Sequence, residues 1–244
     1  MDVASEGLAG RGLLQSAQEW ELRNSVLAES LCLLTEDHMS WVPDGRGLDV
    51  GCQGGFLADY LNEHTPMSWE GIDPILSETK RSPRGALLHR GAAEDIPYPD
   101  NSFDCLILAN VFEHIIPESR HASFVEMRRV LRPGAIMVGQ LPNPYFPIES
   151  HSRLPFMGWL PLNLQKKYWR LSPVPWEHDF FTVTLRDLRR EAAGANLEVV
   201  WTQNFNYPIA ALPKAVRPIA VLLKYPMRRF PWAWQFVLRR PGVE

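Results

Sequence analysis

The 244-residue chain has three cysteines, Cys32, Cys52 and Cys105, and their spacing matches no metal-ligand pattern. An odd thiol count, with no basic-then-apolar leader in "MDVASEGLAGRGLLQ", points to reduced cysteines in a cytoplasmic protein rather than a disulfide framework. No run of 18 apolar residues is present, so a membrane-spanning helix is not expected. A basic excess is missing as well. Lys and Arg number 25 against 28 Asp and Glu, a net charge of −3, which argues against a general nucleic-acid binder. Internal repeats and low-complexity tracts are absent. So are the usual nucleotide fingerprints: in "GLDVGCQGGF", residues 47–56, the glycines fit neither G-x-G-x-x-G nor a phosphate loop ending in Lys-Ser/Thr.

What is present is a rhythm of short apolar strands and amphipathic helices. Residues 15–36 carry Trp20, Leu22, Val26, Leu27, Leu31 and Leu34 near helical spacing. "GLDVG", "SWEGID", "GALLHRG", "FDCLILAN" and "AIMVGQLP" read as strands, with helices over "GFLADYLNEH" and "PESRHASFVEMRRVL" between them. Gly134 in "RPG" is placed to cap the second of these helices. Strands alternating with helices imply an α/β fold with a parallel sheet and right-handed crossovers. Residues 143–181 break the rhythm with prolines and aromatics, too apolar for a linker, and read as an inserted lid. "TLRDLRREAAGAN" restores a helix, with Thr184 and Asp187 spaced as a capping box. "LEVVWTQNF" and "WQFVLRR" read as further strands.

A glycine-rich turn alone says little, because any tight strand-to-helix turn favours glycine. Four motifs in order say more. "GLDVGCQGGF" resembles D-x-G-x-G-x-G, the first motif of the class I S-adenosylmethionine-dependent methyltransferases: Asp49, Gly51 and Gly55 match, and Gln53 stands where the middle glycine would be. "EGID" ends the second strand with Asp73, 22 residues after Gly51. "GAAEDIPYPDNSFDCLILANVFEHI" and "MRRVLRPGAIMVGQLPN" resemble the family's later motifs. The likeness covers residues 40–143 well and 180–206 loosely.

It implies a Rossmann-like fold, a seven-stranded, mostly parallel sheet with helices on both faces, and S-adenosyl-L-methionine as cofactor. The chain then divides into an N-terminal helical segment (1–40), a cofactor-binding core (41–143), a substrate lid (144–181) and a C-terminal part (182–244). Gly51 and Gly55 would let the backbone approach the methionine portion, and Asp49 would orient the turn. Asp73 would bind the ribose, Ala93 and Glu94 would line the adenine, and the Asn110 carbonyl would meet the ammonium. The Gln53 side chain would lie over the cofactor or in solvent. Ala92 stands where many relatives carry an acid, leaving Glu94 or Asp95 to replace it.

Methyl transfer to a hydroxyl needs a base. His114, in "FEHI" beyond the fourth strand, is one candidate; the alternative is a structural role in the pocket wall. Glu149 and His151 in "PIESHSRLPFMGWLP" are others. Two apart in an extended segment, they would face one way and share one hydroxyl or one metal ion such as Mg²⁺; the alternative is a histidine packed in a proline-rich loop. This stretch resembles a segment of methyltransferases encoded with polysaccharide-building enzymes, which favours O-methylation of a sugar or polysaccharide precursor such as a mannose-type glycan. Trp159, Trp169 and Trp176 would suit stacking on sugar rings, or simply form core. Arg153, Lys166 and Lys167 would suit an acidic acceptor or sit in solvent. His178 and Asp179 read as a turn leading into a helix. The apolar and basic segment after residue 207 reads as a membrane-surface contact or as packing on a sheet edge, a lid or a homodimer face. A lipid or quinone methyltransferase, and an inactive cofactor-binding regulator suggested by Gln53 and Ala92, are the competing readings.

Overall fold

The apolar runs before residue 143 form strands, and the amphipathic runs between them fold back over the sheet. A computed structural model describes residues 17–174, 177–211, 217, 221 and 230–242. Helix α1 (Ala17–Glu36) precedes β1 (Arg46–Val50), α2 (Phe56–His64), β2 (Ser68–Asp73), β3 (Lys80–Arg81), β4 (Leu87–Arg90) and β5 (Phe103–Ala109). Then come α3 (Arg120–Val130), β6 (Leu131–Pro142), α4 (Leu162–Tyr168), α5 (Leu185–Gly194), β7 (Glu198–Phe205) and β8 (Ala233–Arg239).

The strands form one sheet in the order β3-β4-β2-β1-β5-β6-β8-β7. Neighbours from β4 to β6 pair in parallel, while β8 runs antiparallel to both β6 and β7. The sheet has eight strands rather than seven; the addition is the two-residue β3, antiparallel to β4 at the edge. Helices cover both faces, as the crossovers require. On one, Phe124 and Met127 of α3 and Leu188 and Ala192 of α5 pack against Leu48, Leu106 and Leu108. On the other, Leu27 and Leu31 of α1 and Leu61 of α2 pack against Ile107 and Val138.

Gly134 does not cap α3. The helix stops at Val130 because Leu131 is already extended and paired with Phe103, so β6 starts at once. Gly134 lies three residues on, with φ +82°, and its N–H donates to the Arg240 carbonyl. The capping box is formed: the Thr184 N–H donates to Asp187 Oδ2 at 3.0 Å, satisfying a free donor at the start of α5.

Residues 144–174 and 177–181 contain α4 and two short 3₁₀ turns around a small core of Leu154, Met157 and Phe180, with Tyr168 and Trp169 against it. Trp169 is therefore packing, whereas Trp159 is exposed. Trp176 lies outside the described residues, as does most of the apolar and basic segment from 212 to 229. Among the described residues no helix is long and apolar enough to cross a membrane.

Candidate active site

The turn between β1 and α2 is built from backbone shapes that most side chains resist. Gly51 has φ +79°, and a Cβ there would lie 2.4 Å from a Val111 methyl; Gly55 has φ +82° and would meet Leu88 and Ser82 at 2.9 Å. Gln53 is itself left-handed, at φ +48°. The sequence suggests that Gly54 and Gly55 absorb the unusual geometry beside Gln53; in the structure the glutamine carries part of it. A non-glycine residue there costs about 1–2 kcal/mol. Offsetting this, the Gln53 N–H donates to Asp73 Oδ2 at 2.8 Å. Asp73 Oδ1 accepts the Ile75 N–H at 3.0 Å, so one carboxylate ties the end of β2 to the glycine turn.

An ionised carboxylate has about four acceptor positions, so Asp73 retains capacity for two hydroxyls. Gly54 faces open space: an added Cβ would meet nothing within 4 Å. Asp49 is buried, and burial, then the Asp73 charge, push its carboxyl up to about 7. A cationic group beside it would relieve that cost. An open backbone cradle, a diol acceptor and a buried acid wanting a cation together suit S-adenosylmethionine, with its ribose and its ammonium.

The other cofactor candidates fall around this turn. Asn110 ends β5 at φ +57°; its N–H donates to the Gln140 carbonyl at 2.8 Å and its Oδ1 accepts Gln140 Nε2 at 3.1 Å. Ala93 turns its methyl into the core, while Glu94 is exposed in a tight turn closed by the Asp95 N–H on the Ala92 carbonyl.

Beyond β5, the 3₁₀ turn Phe112–His114 brings a second group of residues together. The His114 N–H donates to the carbonyl of Val111, the residue that covers Gly51. His151 comes from the segment after β6 and faces His114, with ring centroids 5.1 Å apart. Its Nδ1 lies 2.7 Å from Glu149 Oε1 and its Nε2 3.7 Å from Glu113 Oε1. Phe180 stacks on both His151 and His178, at 4.6 Å each.

Glu149 does not stand beside His151 facing a ligand. It accepts from the His151 backbone N–H (2.9 Å), the His151 ring and the Ser152 N–H (2.6 Å). Burial pushes its carboxyl up, but His151 and these backbone donors outweigh that and hold it at about 2. Burial likewise lowers His114, yet the bond to Asp179 and the Glu113 charge raise it to about 9. Its Nδ1 is 3.2 Å from the Asp179 carbonyl and 3.5 Å from Asp179 Oδ2.

Glu113, which no periodicity in the sequence marks, joins this group. It is buried, burial pushes its carboxyl up, and neither oxygen has a hydrogen-bond partner. Asp179 was read as part of a turn and instead holds His114. A signal for both was there: each histidine of the cluster has an acid within two residues, in "FEH", "ESH" and "EHD".

This fold, with a glycine turn at the carboxyl end of β1 and an acid at the end of β2, defines a class I methyltransferase architecture. Residues 48–139 match the family described as "Methyltransferase domain". Over those 92 of its 244 residues the chain is similar to methyltransferase domains. The ubiquinone/menaquinone biosynthesis C-methyltransferase UbiE of Hahella chejuensis is 40% identical over 76 residues, 28% of this chain and 30% of that protein. UbiE of Geotalea daltonii is 30% identical over 125 residues, 46% of this chain and 52% of that protein. The chain therefore spans about half, or less, of the length of these curated relatives. Among solved structures, geranyl diphosphate C-methyltransferase from Streptomyces coelicolor, bound to Mg²⁺, geranyl diphosphate and S-adenosyl-L-homocysteine, has a TM-score of 0.57 at 14% identity. That match covers 89% of this chain and 79% of the other. A complex of a methyltransferase activator with a methyltransferase from Haloferax volcanii gives 0.60 at 15% identity, over 97% of each chain. At such identity the likeness concerns the fold.

Proposed function

We propose that this chain transfers a methyl group from S-adenosylmethionine to a hydroxyl of a small polar acceptor, with a sugar or polysaccharide precursor the best candidate. The observation that carries the reading is the Glu149–His151 pair at 2.7 Å, beyond the carboxyl ends of the strands that hold the glycine turn. Bound there, S-adenosylmethionine supplies a methyl group activated by a positively charged sulfur. Gly51, Gly55 and Asp73 hold and orient it. Glu149, ionised at neutral pH, fixes His151 with Nδ1 as donor and leaves Nε2 free to accept the hydroxyl proton. Phe180, stacked on the imidazole, keeps the ring from turning.

A groove of about 450 Å³, walled by Leu160, Pro161, Leu162 and Phe181 as well as by polar side chains, would take a small acceptor. Tyr145 and Trp159 line it, together with Arg120, Gln165 and Thr182. Arg120 Nη2 and Gln165 Oε1, on two of its residues, are buried without hydrogen-bond partners. A screen of sugars, quinones and amines for methyl transfer tests the reading. Methylated sugar hydroxyls, with turnover falling at least a hundredfold in His151→Ala while S-adenosylhomocysteine still binds, are expected. Product only from amines would overturn it.

A quinone or lipid acceptor at a membrane surface is the second reading. The UbiE relatives favour it, and so do Phe156, Trp159, Leu162, Leu164 and Leu171, which the lid exposes. Turnover only with dispersed lipid or quinone would put it first.

A further inference from the structure

We infer that Glu113, His114 and His151 form a binding site for one divalent transition-metal ion of the zinc type. A ligand atom from each of the three lies within 4.8 Å of the other two. Proximity alone would be weak evidence, but three further features converge on the same point.

The first is the orientation of the histidines. His151 directs Nδ1 to Glu149 and His114 directs Nδ1 to Asp179. Each ring therefore has one nitrogen engaged by an acid and keeps Nε2 for another partner. Histidines that ligate metals are commonly fixed in this way, by a carboxylate or carbonyl on the far nitrogen. Here two histidines from distant parts of the chain share the arrangement.

The second feature is Glu113. Its side chain is 4% exposed, and neither oxygen has a hydrogen-bond partner. A buried carboxylate without partners is costly, and a cation between it and the two Nε2 atoms removes that cost. The third feature is rigidity. Phe180 stacks on His151, its neighbour Phe181 donates its N–H to the Glu113 carbonyl at 2.8 Å, and Glu149 is pinned by two backbone donors. The pocket is held from outside its own ligands.

Two imidazoles and one carboxylate suit Zn²⁺ or a similar ion; Mg²⁺ prefers an all-oxygen, octahedral set. At metal–ligand bonds of about 2.0–2.2 Å, neighbouring ligand atoms sit roughly 3–3.5 Å apart. Glu113 Oε1 and His151 Nε2, at 3.7 Å, are already near that spacing. Three protein ligands leave a coordination position open. The ion-binding site is tested without methyl transfer, although it uses the same His151 Nε2 that the proposed base needs. If both hold, a hydroxyl coordinated at the open position would be acidified by the ion, and His151 would hold the ion rather than the proton.

The test uses the whole chain, stripped of metal by chelator and titrated separately with Co²⁺, Zn²⁺ and Mg²⁺. Cooperative melting confirms that each variant is folded, and calorimetry with S-adenosylhomocysteine reports the cofactor site. One Co²⁺ per chain with visible absorption, displaced by Zn²⁺, is expected. Glu113→Gln, His114→Ala and His151→Ala should each weaken uptake at least tenfold. Asp179→Asn, whose exposed side chain makes misfolding improbable as a cause, should weaken it by roughly 10–100-fold. No uptake by a cooperatively melting protein, uptake unchanged in the three ligand variants, or preference for Mg²⁺ would overturn the site. Each of these outcomes is read whether or not S-adenosylhomocysteine binds, so failure of the metal site and failure of the methyl-transfer reading are separately visible.

Discussion

At Gln53 the chain accepts a left-handed backbone for which glycine is the usual choice. Substitution there has a predictable sign. Gln53→Gly removes the steric cost but enlarges the unfolded ensemble, so stability should change by no more than about 1 kcal/mol. Gln53→Val places a β-branched side chain in the same conformation and should lose about 1–2 kcal/mol, read as a lower denaturant midpoint with unchanged slope. Asp73 serves the turn and, by our reading, the ribose. Asp73→Ala should therefore weaken S-adenosylhomocysteine binding more than tenfold and also destabilise the empty protein by about 1–3 kcal/mol, since the Gln53 and Ile75 N–H groups lose their acceptor.

Asp49 gives a pH dependence whose sign is fixed. Its folded-state carboxyl, at about 7, lies above the ordinary value of 3.8, so the folded protein holds a proton that the unfolded chain releases. Stability from this group therefore falls as pH rises from about 4 to 7, by on the order of 4 kcal/mol if the full shift is expressed. Melting curves of Asp49→Asn across that window should show the slope removed relative to the parent. An ammonium bound beside Asp49 favours the ionised form, so ligand binding near pH 6 should release a proton. Calorimetry in two buffers of different ionisation enthalpy measures it.

Among the elements, β8 is held in register by more than its apolar face. Gln235, fully buried at its centre, is aligned with Gln140 on β6 and Gln203 on β7. Gln203 Nε2 donates to Gln235 Oε1 at 2.9 Å, Gln235 Nε2 donates to Ser30 Oγ at 2.7 Å, and Gln140 Nε2 donates to Asn110 Oδ1. With Gln235 Nε2 also 3.4 Å from Gln140 Oε1, a polar row crosses three strands and reaches Asn110, the residue after β5. A slip of β8 by one residue would turn Gln235 to the opposite face and strand its partners. Gln235→Leu should cost about 1–3 kcal/mol despite its similar size, because the amides on both sides lose a partner. Denaturant unfolding measures this.

For the molecule as a whole, the half read most easily from sequence is the half governed by local pattern. β2 spans "SWEGID" as expected, and β5 is apolar because both faces are covered. Asp49, Gly51, Gly55 and Asp73 stand at element ends, where spacing alone locates them. The cluster beyond β5 was less legible. Glu113 and His151 are 38 residues apart and meet only because the segment after β6 folds back over the 3₁₀ turn, so no periodicity links them. Glu149 is two residues from His151, yet its carboxylate curls back onto the local backbone, and an extended reading of "ESH" puts it on the wrong side. The left-handed shape of Gln53 is not legible in the sequence because residue type argues against it.

One consequence of the strand order concerns synthesis. β7 is made before β8, but among the described residues its only neighbour in the sheet is β8, which lies between it and β6. While the ribosome is still reading the intervening residues, β7 lacks its native partner and β6 lacks the neighbour on its far side. The part from β1 to β6 can assemble early, since its pairings are between strands already emerged. Closure of the sheet waits for β8 to insert between two strands that precede it, and an arrest before that point would leave two open edges available to other nascent chains.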